Sequence, residues 1–471
     1  MSGPPDDLRA TPALPRGGSR PLPATRSAGW LALLLPLPVA AVAGLGAGLD
    51  PDLTLTLGAA VVSAAVLVSR VEWAALAVVA GAVFEDYLRH VSPWALEWLV
   101  AVLLVAWVVR RAEGRLHPHP LRRTALSVAA LVAAVGLALA VHPHGREGLD
   151  VAASYAGLAV VALVLADVLS GPLPPRRAAR VYVLACVVAS VCGLLTAAVS
   201  DRHVAAGPVE SSDTLAFFLL AAVPLAGTVR ARPRHPAWWT WACFTILLLG
   251  IVGTQSRVAF VALLAMLLAA VVTGRLTLRH AGGLLAVAAT GVALYVAVLQ
   301  VPLGQALTDP QRDADTTTSQ RLDLRLTALD MARVSPVVGL GPGAFALLHQ
   351  DYRAADADPD LGGVETAYST LLEGAADLGA LGALALYAVW SLPVAAARRR
   401  WLADRSALTG AVLLALDGLL VASLLESGQH VLPLWFLAAL AVARGHAPPG
   451  RTPVFGGGPR VEPSGQVPPG S

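Results

Sequence analysis

Two arginines stand in polar segments between long apolar runs of the chain. Arg257 ends the very short turn Gly-Thr-Gln-Ser-Arg, and Arg321 begins a polar segment that continues with Asp323 and Arg325. A guanidinium group is planar, keeps its charge at physiological pH and donates paired hydrogen bonds to phosphate oxygens. Both residues are therefore candidates for binding an anion. The alternatives are that Arg257 extends to lipid headgroups and that Arg321 forms local ion pairs on a solvated helix face.

A glycine-rich segment and three titratable side chains follow Arg321. The segment 339–343 reads Gly-Leu-Gly-Pro-Gly and lacks the lysine and the spacing of a phosphate-binding P-loop. It is predicted to be a turn that packs the polar segment on the rest of the protein, with an anion site made of free amides as the alternative. His349, Glu365 and Tyr368 are candidates for proton transfer, and structural roles such as helix capping are the alternative.

The elements that must position these residues are membrane-spanning helices. Of the 471 residues 56% are hydrophobic and 14% are charged, against about 25% charged in a typical soluble domain. A spanning helix needs about 20 mostly apolar residues. Such runs are predicted at 29–49, 53–69, 71–84, 94–109, 124–141, 151–169, 181–199, 214–228, 237–253, 258–273, 281–299, 367–392, 407–425 and 431–443. The predicted fold is all-α: a polytopic helical bundle in the membrane with about fourteen transmembrane helices.

The polar segments divide this fold. Residues 1–28 and 447–471 are predicted to be disordered cytoplasmic tails, because they are rich in Pro and Gly. Transmembrane helices at 29–299 and 367–446 flank one large extracytoplasmic loop, 300–366. The loop is predicted to contain short helices, because Leu322, Leu326, Leu329 and Val334 recur near helical spacing.

The orientation of the predicted helices follows from arginine in the short loops. Cytoplasmic loops carry an excess of Arg and Lys. Arginines gather in every second loop, at 110–123, 176–180, 230–234, 275–279 and 398–405. Both termini are therefore predicted to be cytoplasmic, in a multi-pass protein of the cell membrane, and Arg257 and Arg321 are predicted to lie on the opposite side.

Charge and cysteine usage give no sign of nucleic-acid or metal binding. The formal net charge of +3 is too small to indicate a nucleic-acid partner. The three cysteines lie within apolar runs and have no zinc-ligand spacing, so they are predicted to be packing residues: Cys186, Cys192 and Cys243. Neither a metal site nor a cofactor is predicted.

Three blocks of the sequence resemble the superfamily of O-antigen ligases and O-antigen polymerases. The first is Gly-Thr-Gln-Ser-Arg at 253–257, where the family has a Ser-Arg-Gly-like turn between two spans. The second is 321–329 together with Ser-Pro-Val-Val-Gly-Leu-Gly-Pro-Gly-Ala-Phe at 335–345. The third is 367–382, which is similar to the block that begins the helix after the outer loop. The resemblance covers about residues 240–392.

This resemblance implies a metal-independent glycosyltransferase embedded in the membrane. Such enzymes transfer or polymerise a glycan from a polyprenyl-diphosphate carrier onto an acceptor hydroxyl at the outer face of the cytoplasmic membrane. The acceptor is a glycan, a lipid or a protein. Arg257 and Arg321 are then expected to bind the diphosphate. Four further residues are expected to line the substrate site: Gln255, Ser256, Gly341 and Gly343.

One departure from the family concerns the base that takes the proton of the acceptor hydroxyl. The ligases have His-Asn where this chain has Tyr368-Ser369. Tyrosine, with a reference pKa of about 10, is a poor base at neutral pH, so Glu365 or His349 is expected to take the role. A non-catalytic assembly partner is one alternative function. A transporter or flippase of lipid-linked glycans is another, although polar residues within the predicted spans, such as Asp167, are few.

Overall fold

The computed structural model describes most of the chain from residue 63 onward. The described ranges are 63–114, 121–199, 204–205, 207–209, 211–228, 238–274, 282–283, 318–353 and 366–446. The predicted span 29–49, nearly all of 281–299, most of 53–69, Glu365 and both predicted tails lie outside them. The chain forms two compact units, Met1–Val66 and Leu67–Ser471, and the helices from Val71 onward belong to the second unit.

All regular elements in the described residues are helices, which confirms the all-α prediction. In chain order they are α1 Val71–Gly81, α2 Glu85–Val91, α3 Ala95–Ala112, α4 Arg122–Val141, α5 Gly145–Ser170, α6 Pro175–Val199, α7 Ser212–Ala226, α8 Trp238–Thr254, α9 Arg257–Val272, α10 Thr318–Val334, α11 Ala344–Leu348, α12 Thr370–Asp404, α13 Ala407–Leu425 and α14 Leu432–His446. Two 3₁₀ turns, Ala82–Phe84 and His349–Tyr352, follow α1 and α11.

Five of these helices are long and apolar enough to cross a membrane: α4, α5, α6, α12 and α13. Four more are apolar but shorter: α7, α8, α9 and α14. The fold is thus that of a helical membrane protein, while the predicted number of spans stays a prediction. Helix α1 has 11 residues, so it is about 16 Å long and shorter than the roughly 30 Å of a hydrocarbon core. The 3₁₀ turn Ala82–Phe84 extends α1 over the rest of the predicted span at 71–84, and whether this segment crosses the membrane stays a prediction.

The helices pack through apolar side chains and small residues. Helix α14 is buried almost along its whole length, with Trp435 and Phe436 fully enclosed, and it packs against α5 and α12. Helix α13 packs against α7, α9 and α12. Gly418 of α13 lies against Met266 of α9, where a Cβ atom would come within 2.4 Å of the methionine side chain. Small residues of this kind let membrane helices approach closely.

Three arginine contacts join helix termini at one end of the bundle. Arg111, at the end of α3, forms an ion pair with Asp167 near the end of α5, at 3.1 Å. Arg180, near the start of α6, donates to the carbonyl of Thr228, just after α7, at 3.3 Å. Arg444, near the end of α14, donates to the hydroxyl of Ser406, just before α13, at 3.0 Å. The arginine-rich termini therefore lie together, as their alternation along the chain predicts.

The glycine-rich turn and α10 lie at the opposite end. The ring of His144, between α4 and α5, donates to the carbonyl of Leu340 at 2.6 Å. Arg325 of α10 donates to the carbonyl of Leu425, the last residue of α13, at 2.8 Å. This end holds the turns that connect α4 to α5, α8 to α9 and α13 to α14. Which side of a membrane it faces stays a prediction.

Helix α10 confirms the predicted short helix but buries a different face. Leu322 and Leu326 are 55% and 51% exposed, whereas Leu324, Ala328 and Met331 are buried. The buried residues pack with Phe345 and Ala376 in a small apolar cluster that holds α10 on α12. The helix adopts this rotation because it also directs Arg321 and Arg325 toward the ends of α12 and α13.

Candidate functional site

Arg321 is the centre of a charged cluster at this end of the bundle. Its Nη1 atom lies 3.3 Å from Oε2 of Glu426, and its Nη2 atom lies 3.6 Å from Oδ2 of Asp213. Its Cζ atom lies 4.3 Å from the centroid of the Tyr368 ring. The arginine side chain keeps 21% of its surface exposed. It is therefore a fixed cation that two carboxylates and an aromatic face support and that a solute can still reach.

Glu426 is the more enclosed of the two carboxylates and follows directly after α13. Its backbone carbonyl accepts from the amide of Thr370 at 3.4 Å and from the hydroxyl of the same residue at 3.1 Å. The amide of Ser427 donates to its carboxylate. The pKa of Glu426 is raised to about 8: burial is the largest cause, the charge of Asp213 adds to it, and Arg321 offsets part of the shift.

Arg325, one turn after Arg321, anchors α10 instead of facing the opening. Its Nε atom donates to the carbonyl of Tyr368 at 3.1 Å, in addition to the bond from Nη2 to the carbonyl of Leu425. The carbonyls in the last turn of a helix have no partner within that helix. Arg325 satisfies one of them at the end of α13 and so fixes Arg321 relative to Glu426.

Two short turns that the sequence resemblance singles out have the same local structure. Gln255 and Tyr368 both have left-handed backbone conformations, with φ of 55° and 50°, which cost non-glycine residues roughly 1–2 kcal/mol. The serine that follows each of them is a helix N-cap. Ser256 accepts from the amide of Ala259 at 3.4 Å in α9, and Ser369 caps α12 in the same way. These turns set the directions from which Arg257 and Tyr368 project.

Arg257, the first residue of α9, is exposed at the same end of the bundle as Arg321. Helices α9 and α13 pack antiparallel, with Met266 on Gly418. Met266 is nine residues from Arg257, and Gly418 is eight residues from Glu426, which correspond to about 14 Å and 12 Å along the two axes. Since Glu426 pairs with Arg321, the two predicted phosphate-binding arginines lie at similar positions along the helix axes.

The glycine-rich turn is packed on α12 through its amides. The amide of Gly341 donates to the backbone carbonyl of Asp377 at 2.9 Å, and that of Leu340 donates to the carbonyl of Ala376 at 2.9 Å. The carboxylate of Asp377 accepts from the amides of Gly343 at 3.0 Å and Phe345 at 2.8 Å. This arrangement matches the predicted packing turn, and it gives the amides of Gly341 and Gly343 acceptors within the protein.

Two glycines make this packing possible. Gly339 has φ of 77° and Gly379 has φ of 63°, a conformation that favours glycine. A Cβ atom on Gly339 would lie 2.4 Å from the carbonyl oxygen of Asp377, and one on Gly379 would lie 2.4 Å from that of Val337. Gly379 interrupts α12, and the amide of Ala380 donates instead to the carbonyl of Pro336 at 2.9 Å.

His349 is buried, with 2% of its surface exposed, in the short segment after α11. Its Nδ1 atom lies 3.1 Å from the carbonyl of Phe345, and its ring stacks on that of Phe345 with centroids 5.4 Å apart. Its Nε2 atom has no hydrogen-bond partner within the part of the chain that the structure describes. The 3₁₀ turn that begins at His349 packs on α10, but within the described residues no hydrogen bond or ion pair joins His349 to Arg321.

A third carboxylate, Glu373, is buried within α12. It accepts from the amide of Ala367 at 2.9 Å, from the hydroxyl of Ser427 at 2.5 Å and from the side chain of Gln429. These bonds tie the start of α12 to the turn between α13 and α14. Within the described ranges, no three His, Cys, Asp or Glu side chains are grouped so that they could hold a metal ion.

The sequence alone did not identify Glu426, Asp213 or Glu373 as parts of the site. One signal for Glu426 was available, since Glu-Ser-Gly-Gln at 426–429 separates two predicted spans on the predicted outer side. Carboxylates inside or beside apolar spans are uncommon and often functional. The pairing of Glu426 with Arg321, however, joins residues 105 positions apart.

A comparison with known protein families agrees with this part of the structure. The family model described as O-antigen ligase matches residues 242–387, which include Arg257, Arg321 and Tyr368. This segment of a helical membrane protein is thus similar to the O-antigen ligase family, and the predicted resemblance to the O-antigen ligase and polymerase superfamily is confirmed. No curated protein matches the chain. Asp213 and Glu426 lie outside the matched segment.

Proposed function

We propose that this protein is a membrane glycosyltransferase of the O-antigen ligase and polymerase type. It takes a glycan from a polyprenyl-diphosphate carrier and attaches it to a hydroxyl of a glycan, lipid or protein acceptor. The observation that carries this proposal is the placement of Arg321. In the segment that matches the family, this arginine is fixed from two sides, partly exposed, and at the same end of the bundle as Arg257.

The proposed chemistry follows from the charge of the leaving group. When the bond between the sugar and the diphosphate breaks, negative charge develops on the diphosphate oxygens. Fixed cations that already point at this position stabilise the transition state without reorganisation. Arg257 and Arg321 supply such cations in this proposal, which requires no metal ion. Gln255, Ser256, Gly341 and Gly343 are proposed to shape the surrounding substrate site.

The acceptor hydroxyl must also lose a proton, and three residues remain proposed for this part of the reaction. The Nδ1 atom of His349 faces the carbonyl oxygen of Phe345 and so donates there, and Nε2 is the ring nitrogen proposed to meet the acceptor hydroxyl. Glu365 lies outside the described residues. Tyr368 presents its ring to Arg321 and contributes by supporting that arginine.

The proposed location is the cytoplasmic membrane, with both termini in the cytoplasm. The bundle end that holds α10 then faces outward, where the headgroup of a polyprenyl-diphosphate donor lies at the lipid surface. Exposed aromatic residues near both ends of the bundle support a membrane position, because tryptophan and tyrosine concentrate at the two interfaces. They include Tyr87, Trp94 and Trp98 in one region and Trp238, Trp239 and Trp241 at the start of α8.

The two alternative functions predict different behaviour. A flippase requires polar groups that a substrate can use within the membrane, but Glu373 and Asp377 are occupied by hydrogen bonds to their own chain. A non-catalytic assembly partner would explain the absence of histidine at position 368, yet it would not need an arginine that stays open to solute.

One experiment separates these functions. The purified protein is reconstituted in vesicles that contain a polyprenyl-diphosphate-linked oligosaccharide, and acceptor is added. A transferase releases polyprenyl diphosphate and lengthens the acceptor, and Arg321→Ala abolishes both. Movement of the intact donor across the bilayer without release would support a flippase. Neither release nor movement would support an assembly partner, and either result would overturn the proposal.

A further inference from the structure

Glu426 and Tyr368 lie on the same guanidinium group. The carboxylate of Glu426 is 3.3 Å from Nη1 of Arg321, and the ring centroid of Tyr368 is 4.3 Å from Cζ of Arg321. Position 368 is where the ligases that this chain resembles carry histidine. Glu426, a carboxylate that could take a proton, and Tyr368, at the position where the histidine is missing, therefore contact the same guanidinium group.

The backbone around Glu426 holds the carboxylate in this place. Thr370 binds the Glu426 carbonyl through both its amide and its hydroxyl. Arg325 binds the carbonyl of the preceding residue, Leu425. Groups that take part in catalysis must be held within a fraction of an ångström by such supporting bonds. Glu426 meets this requirement although it follows a helix end.

The other candidate groups are less well placed. Glu373 accepts three hydrogen bonds from its own chain, which engage most of the roughly four acceptor sites of a carboxylate. The hydrogen bond and the ring stacking described for His349 both involve Phe345 of the preceding helix, and neither Arg321 nor Tyr368. Asp213 also pairs with Arg321, but at 3.6 Å and with 28% of its side chain exposed, against 9% for Glu426. Asp213 is therefore the more solvent-exposed of the two carboxylates.

We propose that Glu426 is the base that accepts the proton of the acceptor hydroxyl, an inference that rests on the proposed transferase function. As the acceptor O–H bond breaks, its proton moves to the Glu426 carboxylate. The acceptor oxygen forms a bond to the anomeric carbon of the donor. The bond from that carbon to the diphosphate oxygen breaks, and its electron pair leaves with polyprenyl diphosphate. Glu426 then returns the proton to water.

Donor binding strengthens this base. A diphosphate on Arg321 competes for the charge that the guanidinium otherwise shares with Glu426, so the carboxylate holds a proton more tightly once the donor is bound. The raised pKa of Glu426, about 8 in the free protein, is of the kind that suits a general base near neutral pH. The ionisable groups around it are Asp213 of α7, Arg321 and Arg325 of α10, Tyr368 before α12, and Glu373 of α12, which Ser427 connects to it.

The test measures polyprenyl diphosphate release from vesicles by wild type, Glu426→Gln and Glu426→Asp. We expect Glu426→Gln to lower kcat by about 10²–10⁴-fold, which is the usual contribution of general base catalysis. The wild-type kcat/KM, which reports on the free protein, should rise with pH up to about 8, and this rise should disappear in Glu426→Gln. Glu426→Asp should retain part of the activity and the pH dependence. Asp213→Asn is the matched control: it removes a charge that raises the pKa of Glu426, so it should shift the pH dependence to lower pH without abolishing it, and it should lower the rate less than Glu426→Gln does.

Rescue of activity by azide distinguishes a residue that acts as a base from one that only positions Arg321. Azide attacks the anomeric carbon as an anion and needs no proton removed, so it should restore donor consumption by Glu426→Ala at least about tenfold, with glycosyl azide as product. It should not restore Arg321→Ala, because the leaving group there lacks its cation. Glu426→Gln with near wild-type kcat, or a lack of azide rescue with the pH dependence intact, would overturn the inference. If wild type itself releases no polyprenyl diphosphate, the proposed transferase function fails instead.

Discussion

The guanidinium of Arg321 stacks on the ring of Tyr368, with Cζ 4.3 Å from the ring centroid. The position where the family has histidine is thus used here to support an arginine. Cation–π contacts contribute about 0.5–2 kcal/mol. The ring of Tyr368 therefore supplies the contact with Arg321, and its hydroxyl, a poor base, is not required for this contact.

Substitutions at Tyr368 test this role. Tyr368→Phe keeps the ring and is expected to retain transfer within about threefold of wild type. Tyr368→Ala is expected to weaken donor binding about 2- to 30-fold, which corresponds to the range of a cation–π contact. The measurement is the KM for donor in vesicles. Loss of transfer in Tyr368→Phe would show instead that the hydroxyl takes part in the reaction.

Gly339 and Gly379 are expected to be essential for docking the loop on α12. An alanine at either position places its Cβ atom about 2.4 Å from a backbone carbonyl oxygen and adopts a left-handed conformation. The conformation alone costs roughly 1–2 kcal/mol, so both Gly339→Ala and Gly379→Ala should lower Tm in detergent. Gly136→Ala in α4 is the control, because a Cβ atom there meets nothing within 4 Å. Equal Tm values for all three variants would contradict this packing of the loop on α12.

The pH dependence of stability should report on Glu426. The folded protein has its pKa near 8, above the ordinary 4.5. Between these values the folded protein holds a proton that the unfolded chain has released, so the free energy of unfolding should fall as the pH rises from about 4.5 to 8. Thermal unfolding of wild type and Glu426→Gln over this range measures the contribution. The difference in Tm between the two proteins should change with pH, and parallel curves would argue against a raised pKa.

The predicted orientation can be tested with single cysteines on a background without Cys186, Cys192 and Cys243. Arg333 on α10 and Arg399 near the end of α12 are both exposed and lie at opposite ends of the bundle. An impermeant thiol reagent added to intact cells should label Arg333→Cys and should label Arg399→Cys only after lysis. The reverse pattern would place Arg257 and Arg321 on the cytoplasmic side, where the proposed reaction does not occur.

Within the described residues, the sequence predicts the helices well because apolar runs of spanning length carry a strong signal. It predicts the packing role of 339–343 from the glycines alone. It does not predict which face α10 buries, because Leu322 and Leu326 recur with the same spacing as the residues that are buried. The break at Gly379 is hidden within an apolar run, since its cause is contact with Val337, a residue far along the chain.

The candidate site was only partly predictable for a similar reason. Arg257 and Arg321 stand out because they are charged residues in motifs that resemble a family. Glu426 supplies the counter-charge of Arg321 from 105 positions away, and no periodicity links the two. Pairings of this kind depend on which helix ends meet in the bundle, and that is decided by the packing of all the helices together.

We expect Arg257 and Arg321 to bind the same diphosphate. The lysine variant of either arginine should transfer glycan more slowly than wild type but faster than the alanine variant, because lysine keeps the charge but loses the paired donors. Arg333→Ala is the control, since this arginine is 70% exposed on the same helix and pairs with Asp330. It should transfer glycan normally.

The most direct measurement is glycan transfer by Arg257→Ala, Arg321→Ala and the double variant, in membranes that contain equal amounts of each protein. Each single variant should lose at least about 100-fold in kcat/KM, the scale on which single preorganised donors act in catalysis. The double variant should lose little more than either one, because both residues act on one leaving group. Normal transfer by Arg257→Ala would contradict the shared binding of the diphosphate and leave Arg257 as a residue that extends to lipid headgroups.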